Sequence, residues 1–117
     1  MTHHTPEHRN REMNACIEAC TQCHAICVET ASYCLDKGGQ HAEREHVSLL
    51  LTCADICGTC LDAMLRGTSA HMATCNACAQ ICRQCAESCA SMGDDEQMQR
   101  CADACRRCAE SCAAMVA

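Results

Sequence analysis

Nearly all of the seventeen cysteines in this 117-residue chain recur at gaps of three or four residues. They fall in runs: Cys16, Cys20, Cys23 and Cys27; Cys53, Cys57 and Cys60; Cys75, Cys78, Cys82, Cys85 and Cys89; Cys101, Cys105, Cys108 and Cys112, with Cys34 a further seven residues after Cys27. Alternating gaps of three and four trace the seam of an α-helix in a bundle, so thiols stand where Leu and Ile normally do. Little else is available to form a core. The chain has no Phe or Trp and a single Tyr, Tyr33.

Turn and cap residues divide the chain into four predicted helices. Thr5 with Pro6 reads as the start of a helix over about 6–37, stopped by Gly38 and Gly39. A second covers about 40–66 before Gly67, and Thr68 or Ser69 opens a third over 69–92 before Gly93. Asp94, with Gln97 three residues on, resembles a capping box for a fourth helix over 94–114. Short connections force antiparallel neighbours. The expectation is all-α: one domain over 1–117, an up-down-up-down four-helix bundle with a cysteine-lined core.

Stacking the four seams antiparallel gives layers. Met13, Met64, His71 and Met115 form one end. Inward come Cys16/Cys60/Cys75/Cys112, Cys20/Cys57/Cys78/Cys108, Cys23/Cys53/Cys82/Cys105 and Cys27/Leu50/Cys85/Cys101. Thr30/His46/Cys89/Met98 follow, with Cys34 and Met92 beyond. Every thiol falls on one internal column, and Leu50 leaves one layer a sulfur short.

A cysteine fraction above about 8–10% suggests disulfides in a secreted chain. Residues 1–14 are polar and carry no apolar h-region, and no stretch approaches a membrane span, so a cytosolic location with reduced thiols is expected. Geometry agrees, because Cβ atoms at i, i+3 and i, i+4 lie roughly 5–6 Å apart and a relaxed disulfide needs roughly 3.5–4.5 Å.

Protonated thiols alone pack a bundle poorly, whereas thiolates holding a soft metal supply what the core lacks. Cu(I) suits the donor set, favouring Cys and Met. The CxxxC pairs 16/20, 23/27, 53/57, 78/82, 85/89, 101/105 and 108/112 can each close on a linear ion. Buried thiolates must be neutralised, and about one Cu(I) per thiolate does so. The expected capacity is above about eight Cu(I) per chain, half the thiol count. Zinc or cadmium buffering is the alternative metal reading, since the CxxC pairs 20/23, 57/60, 75/78, 82/85 and 105/108 and the four-thiol layers could make tetrahedra. An iron–sulfur run ending in Cys-Pro is absent.

The segments ACIEACTQCHAICVETASYC, CAQICRQCAESCASM and CADACRRCAESCAAM resemble the copper storage protein family, in its cytosolic branch. The resemblance spans nearly the whole chain. It implies a homotetramer of four-helix bundles that stores many Cu(I) ions on thiolates, nucleated at CxxxC pairs. It also implies an entrance at a bundle end where His and Met replace Cys. Storage of this kind gives an expected exchange partner, a copper chaperone or cuproenzyme.

Outside the cysteines, Met13, Met64, His71 and Met115 are the expected entrance for copper. His46, Met98 and Met92 repeat that chemistry at the other end, where Leu49, Leu50 and Leu51 suggest an apolar plug. His24 lies off the seam as a surface residue, and His3, His4 and His8 sit in the polar N-terminal stretch. The formal charge of −6 and the acids interleaved with Arg100, Arg106 and Arg107 argue against nucleic-acid binding. A thiol redox enzyme would need one distinguished cysteine with a lowered pKa. Seventeen equivalent seam positions single out none, so no catalytic residue is expected.

Overall fold

A computed structural model describes residues 10–117. Helix α1 runs Arg11–Lys37, α2 Arg44–Arg66, α3 His71–Ala90 and α4 Glu96–Val116, and a short 3-10 helix, Gly39–Ala42, joins the first two. No strand occurs among the described residues. Both α1 and α3 pack against α2 and α4, which makes the expected antiparallel four-helix bundle, 51 Å long and 20 Å across.

Capping side chains set the starts of α1 and α4, and backbone turns set those of α2 and α3. Helix α1 starts at Arg11, because Asn10 is extended and its Oδ1 accepts the Met13 N–H at 2.7 Å. Thr5 and Pro6 lie outside the described residues, as do His3, His4 and His8. Gly38 and Gly39, both at positive φ, end α1, and the next residues wind as a 3-10 turn instead of opening α2. Extended Glu43 then resets the chain, so α2 begins at Arg44 and not near residue 40.

Helix α3 has no side-chain cap and begins at His71, two residues later than expected; the Ser69 carbonyl accepts the Met72 N–H. Its helix stops at Ala90, and Ser91 and Met92 form a turn before Gly93. Asp95, not Asp94, caps α4 by accepting the Met98 N–H at 3.2 Å. Gln97 takes no part in a capping box. Its amide crosses the bundle to donate to Thr30 Oγ1 at 2.9 Å.

One expectation about hydropathy is corrected. Helix α2 is long and apolar enough to span a membrane by composition, with mean hydropathy 1.5 over an 18-residue window. Thiols and leucines supply that value, and Leu50, Cys53, Cys57 and Cys60 turn it into the bundle, where they are fully buried.

The interior is built almost entirely from sulfur. All seventeen cysteines are free thiols with no solvent exposure, joined by Met13, Met64, Met98 and Leu50. Small side chains flank the column between helices: Ala31, Ala54, Ala79, Ala86, Ala102 and Ala109 are all buried. This is the seam pattern carried into three dimensions, with an apolar thiol stripe inward and charged residues outward.

Candidate metal centre

The expected layers are present as sulfur contacts. Cys16 meets Cys112 at 3.5 Å and Cys60 meets Cys75 at 3.2 Å. In the next layer Cys57 lies 3.8 Å from both Cys78 and Cys108, and Cys108 lies 3.6 Å from Cys20. Then Cys23 stands 3.9 Å from Cys53 and 3.7 Å from Cys105, while Cys53 and Cys82 are 3.6 Å apart. Cys27 reaches Cys101 at 3.9 Å.

Contacts also run between layers. Cys20 lies 3.8 Å from Cys112, Cys57 3.7 Å from Cys82, and Cys27 3.7 Å from Cys105. Of the CxxxC pairs, Cys23 and Cys27 touch at 3.9 Å and Cys78 and Cys82 at 3.7 Å. The sulfurs thus form a continuous ladder. Four thiols converge in several overlapping groups, among them Cys20/Cys60/Cys78/Cys112 and Cys23/Cys53/Cys57/Cys82, each with its sulfurs within 4.8 Å of one another.

Such a ladder cannot ionise freely. Burial opposes the thiolate at every rung, and contacts between sulfurs divide neighbours into donors and acceptors. Cys16 is held below its ordinary value, first by its hydrogen bond with Cys112, and Cys112 is pushed up by Cys108 and then Cys16. Cys34, with no thiol in hydrogen-bonding contact, is pushed up to about 11 by burial. A bound monovalent soft cation removes the problem by replacing the thiol proton with an equal charge.

The two ends differ from the column and from each other. At the first, Met13 and Met64 are fully buried, His71 is 6% exposed and Met115 packs at the margin of the core. His71 Nδ1 donates to the Thr68 carbonyl at 2.7 Å, which leaves the lone pair on Nε2. At the second end Cys34, one helical turn past Thr30, reaches donors of the last layer. Its sulfur lies 3.4 Å from His46 Nε2 and donates to Met98 Sδ at 3.5 Å. Of the expected leucine plug, Leu50 alone is fully buried, and Leu51 is 46% exposed. Burial, and then His41, push His46 below the ordinary histidine value, which favours the neutral imidazole.

His24 is exposed, as expected, and has a structural role: Nδ1 donates to the Ala54 carbonyl at 2.7 Å, over Gly58. Sequence reasoning missed Ser88, whose hydroxyl meets His46 Nδ1 at 2.7 Å. It also missed a polar cluster of Tyr33, His41 and Asp95 over the second end. Spacing carried no signal for either, because both depend on side chains off the seam.

The copper storage protein family model (Csp) matches residues 9–117. The uncharacterized cysteine-rich protein YhjQ of Bacillus subtilis (strain 168) is 38% identical over 81 residues, covering 69% of this chain and 75% of its own. Among solved structures, the Cu(I)-bound copper storage protein BsCsp3 superimposes with a TM-score of 0.84 at 36% identity, covering 92% of this chain and 100% of that one. Ccsp of Streptomyces lividans, a copper storage protein loaded with 10 copper equivalents, gives a TM-score of 0.78 at 29% identity, covering 90% of this chain and 83% of that one.

Proposed function

This chain belongs to the copper storage protein family, and on that premise we propose that all seventeen cysteines of its column are Cu(I) ligands. The function is storage and sequestration of Cu(I) on thiolates lining the bundle core. The observation that carries the ligand assignment is the sulfur ladder, with cross-layer contacts such as Cys57 to Cys82 at 3.7 Å, and with Cys34 at its end against His46 and Met98. Thiolates shared between neighbouring ions let the load approach the number of cysteines, and each Cu(I) cancels the charge of one thiolate.

Copper enters at the Met13, Met64, His71 and Met115 end. Thioether and imidazole donors hold Cu(I) more weakly than thiolates do, so they capture an ion and pass it inward. The protein acts as a buffer and not as an enzyme: Cys34, which stands beside His46, is fully buried and pushed up to about 11, the opposite of an activated nucleophile. Its place is the cytosol, as for the cytosolic storage protein of Streptomyces lividans. The working unit is a homotetramer, and exchange with a copper chaperone or cuproenzyme sets the direction of flow.

The decisive experiment is an anaerobic Cu(I) titration of reduced protein against a competing chromogenic chelator, with Zn(II) in parallel. About ten or more Cu(I) held per chain is the expected plateau. A plateau near about four Zn(II), with Cu(I) held no better per thiol, would replace copper with zinc as the cargo.

A further inference from the structure

The two closest sulfur contacts between cysteines fall in one layer. Cys60 Sγ lies 3.2 Å from Cys75 Sγ and Cys16 Sγ lies 3.5 Å from Cys112 Sγ, while thiol contacts further along the column run from 3.6 to 4.0 Å. Deeper thiols share their contacts: Cys57 divides its own among Cys78, Cys82 and Cys108 at 3.7 to 3.8 Å. Cys60 and Cys75 instead meet each other at short range across the α2–α3 hairpin. They stand on different helices, so the spacing that strains a disulfide along one helix does not apply to them.

We propose that Cys60 and Cys75 form a peroxide-sensitive dithiol, which closes to a disulfide in the copper-free protein and withdraws two sulfurs from the layer beneath Met13 and Met64. The disulfide itself does not depend on the storage reading; its effect on copper capacity rests on it. A disulfide sets its sulfurs about 2.05 Å apart, so the pair has to close by about 1 Å. One thiol attacks hydrogen peroxide, the O–O bond breaks, and a sulfenic acid forms with release of water. The second thiol displaces the sulfenic hydroxyl as another water. Two thiols thus give up two electrons, one peroxide is reduced to two waters, and one S–S bond is made.

Position favours this pair over the rungs below it. One shell of side chains, with Met13, Met64, His71 and Met115, separates its layer from the end of the bundle. Helix α2 ends at Arg66 and α3 begins at His71, so the pair lies two turns from a short connection whose terminal turns open more readily than the middle of the column. A small neutral oxidant reaches it there. Bound Cu(I) occupies the sulfur lone pairs, so loading and oxidation exclude each other. A low-molecular-weight thiol reverses the step by exchange, leaving the pair reduced and its own sulfur oxidised.

The test treats reduced full-length chain, copper-free and fully Cu(I)-loaded, with one equivalent of hydrogen peroxide per chain under anaerobic conditions. Remaining thiols are then alkylated in acid denaturant and the disulfides mapped by mass spectrometry. The expected first product of the copper-free chain is the Cys60–Cys75 disulfide, reversed by dithiothreitol, with the loaded chain oxidised at least about 10-fold more slowly. The singly oxidised chain should bind about two Cu(I) fewer. Cys75→Ser should abolish this product and leave a sulfenic acid at Cys60, trapped by dimedone. The proposal is overturned if Cys16–Cys112 or a mixture of pairs forms first, or if copper gives no protection. A chain that forms the disulfide but takes up no Cu(I) when reduced overturns the storage reading alone, which separates the two failures.

Discussion

The Tyr33 hydroxyl donates to Asp95 Oδ2 at 2.8 Å, tying the last turns of α1 to the residue that caps α4. His41, on the 3-10 turn, reaches the same oxygen at 3.0 Å. Although burial opposes ionisation of Asp95, the hydrogen bonds from Tyr33, the Met98 N–H and His41 hold its carboxyl below the ordinary value. Tyr33→Phe removes one strand of this knot. Apo protein carrying it should melt a few degrees lower; an unchanged midpoint would show that the knot adds nothing to stability.

Leu50 fills the place of a thiol in the layer of Cys27, Cys85 and Cys101. Leu50→Ala should cost about 2–5 kcal/mol, because a fully buried side chain is replaced by a cavity. Leu50→Cys should instead raise the Cu(I) plateau by about one ion, at some cost to the apo fold. Chelator-competition titration and chemical denaturation read the two effects separately.

Copper should stabilise the fold by mass action. A site filled at about 100 times its Kd contributes about 2.7 kcal/mol, and many filled sites accumulate. Calorimetry of apo and loaded protein should therefore differ by tens of degrees. Equal melting would mean that the ions are not held by the folded core.

Apo stability should fall in alkaline solution. Burial pushes Cys34 from 9.0 to about 11, so between those values the folded chain keeps a proton that the unfolded chain has lost. Stability is fully present below about pH 9 and declines as pH rises toward about 11. Denaturant midpoints of reduced apo protein across that window test the sign, and a rising midpoint would contradict it.

Replacing Met64 by Leu and His71 by Ala together should slow Cu(I) loading several-fold while leaving the plateau nearly intact, because these side chains stand at the end of the column and not within it. Stopped-flow transfer from a Cu(I)-chelator complex measures the rate. Unchanged kinetics would move the entrance elsewhere.

The bundle and its sulfur interior were legible because a seam repeats at every turn, so a local slip cannot hide it. Helix ends were not, because each turns on one cap among adjacent candidates or on the backbone course of a short connection. Asp94 and Asp95 are both competent caps, and only backbone geometry selects Asp95. The α1–α2 connection shows the same limit: Gly39–Ala42 winds as a 3-10 turn, so α2 starts at Arg44 and not near residue 40. Ser88 could not be read at all, since its part depends on the orientation of another residue's ring.

The ladder's geometry bears on movement as well as on amount. Sulfurs on adjacent rungs lie within 4 Å of one another, so an ion can exchange one ligand for the next without being set free in between. Each layer brings up to four sulfurs together, so an ion has several neighbours to step to. Cargo held this way would pass hand over hand through the core and never be loose within it.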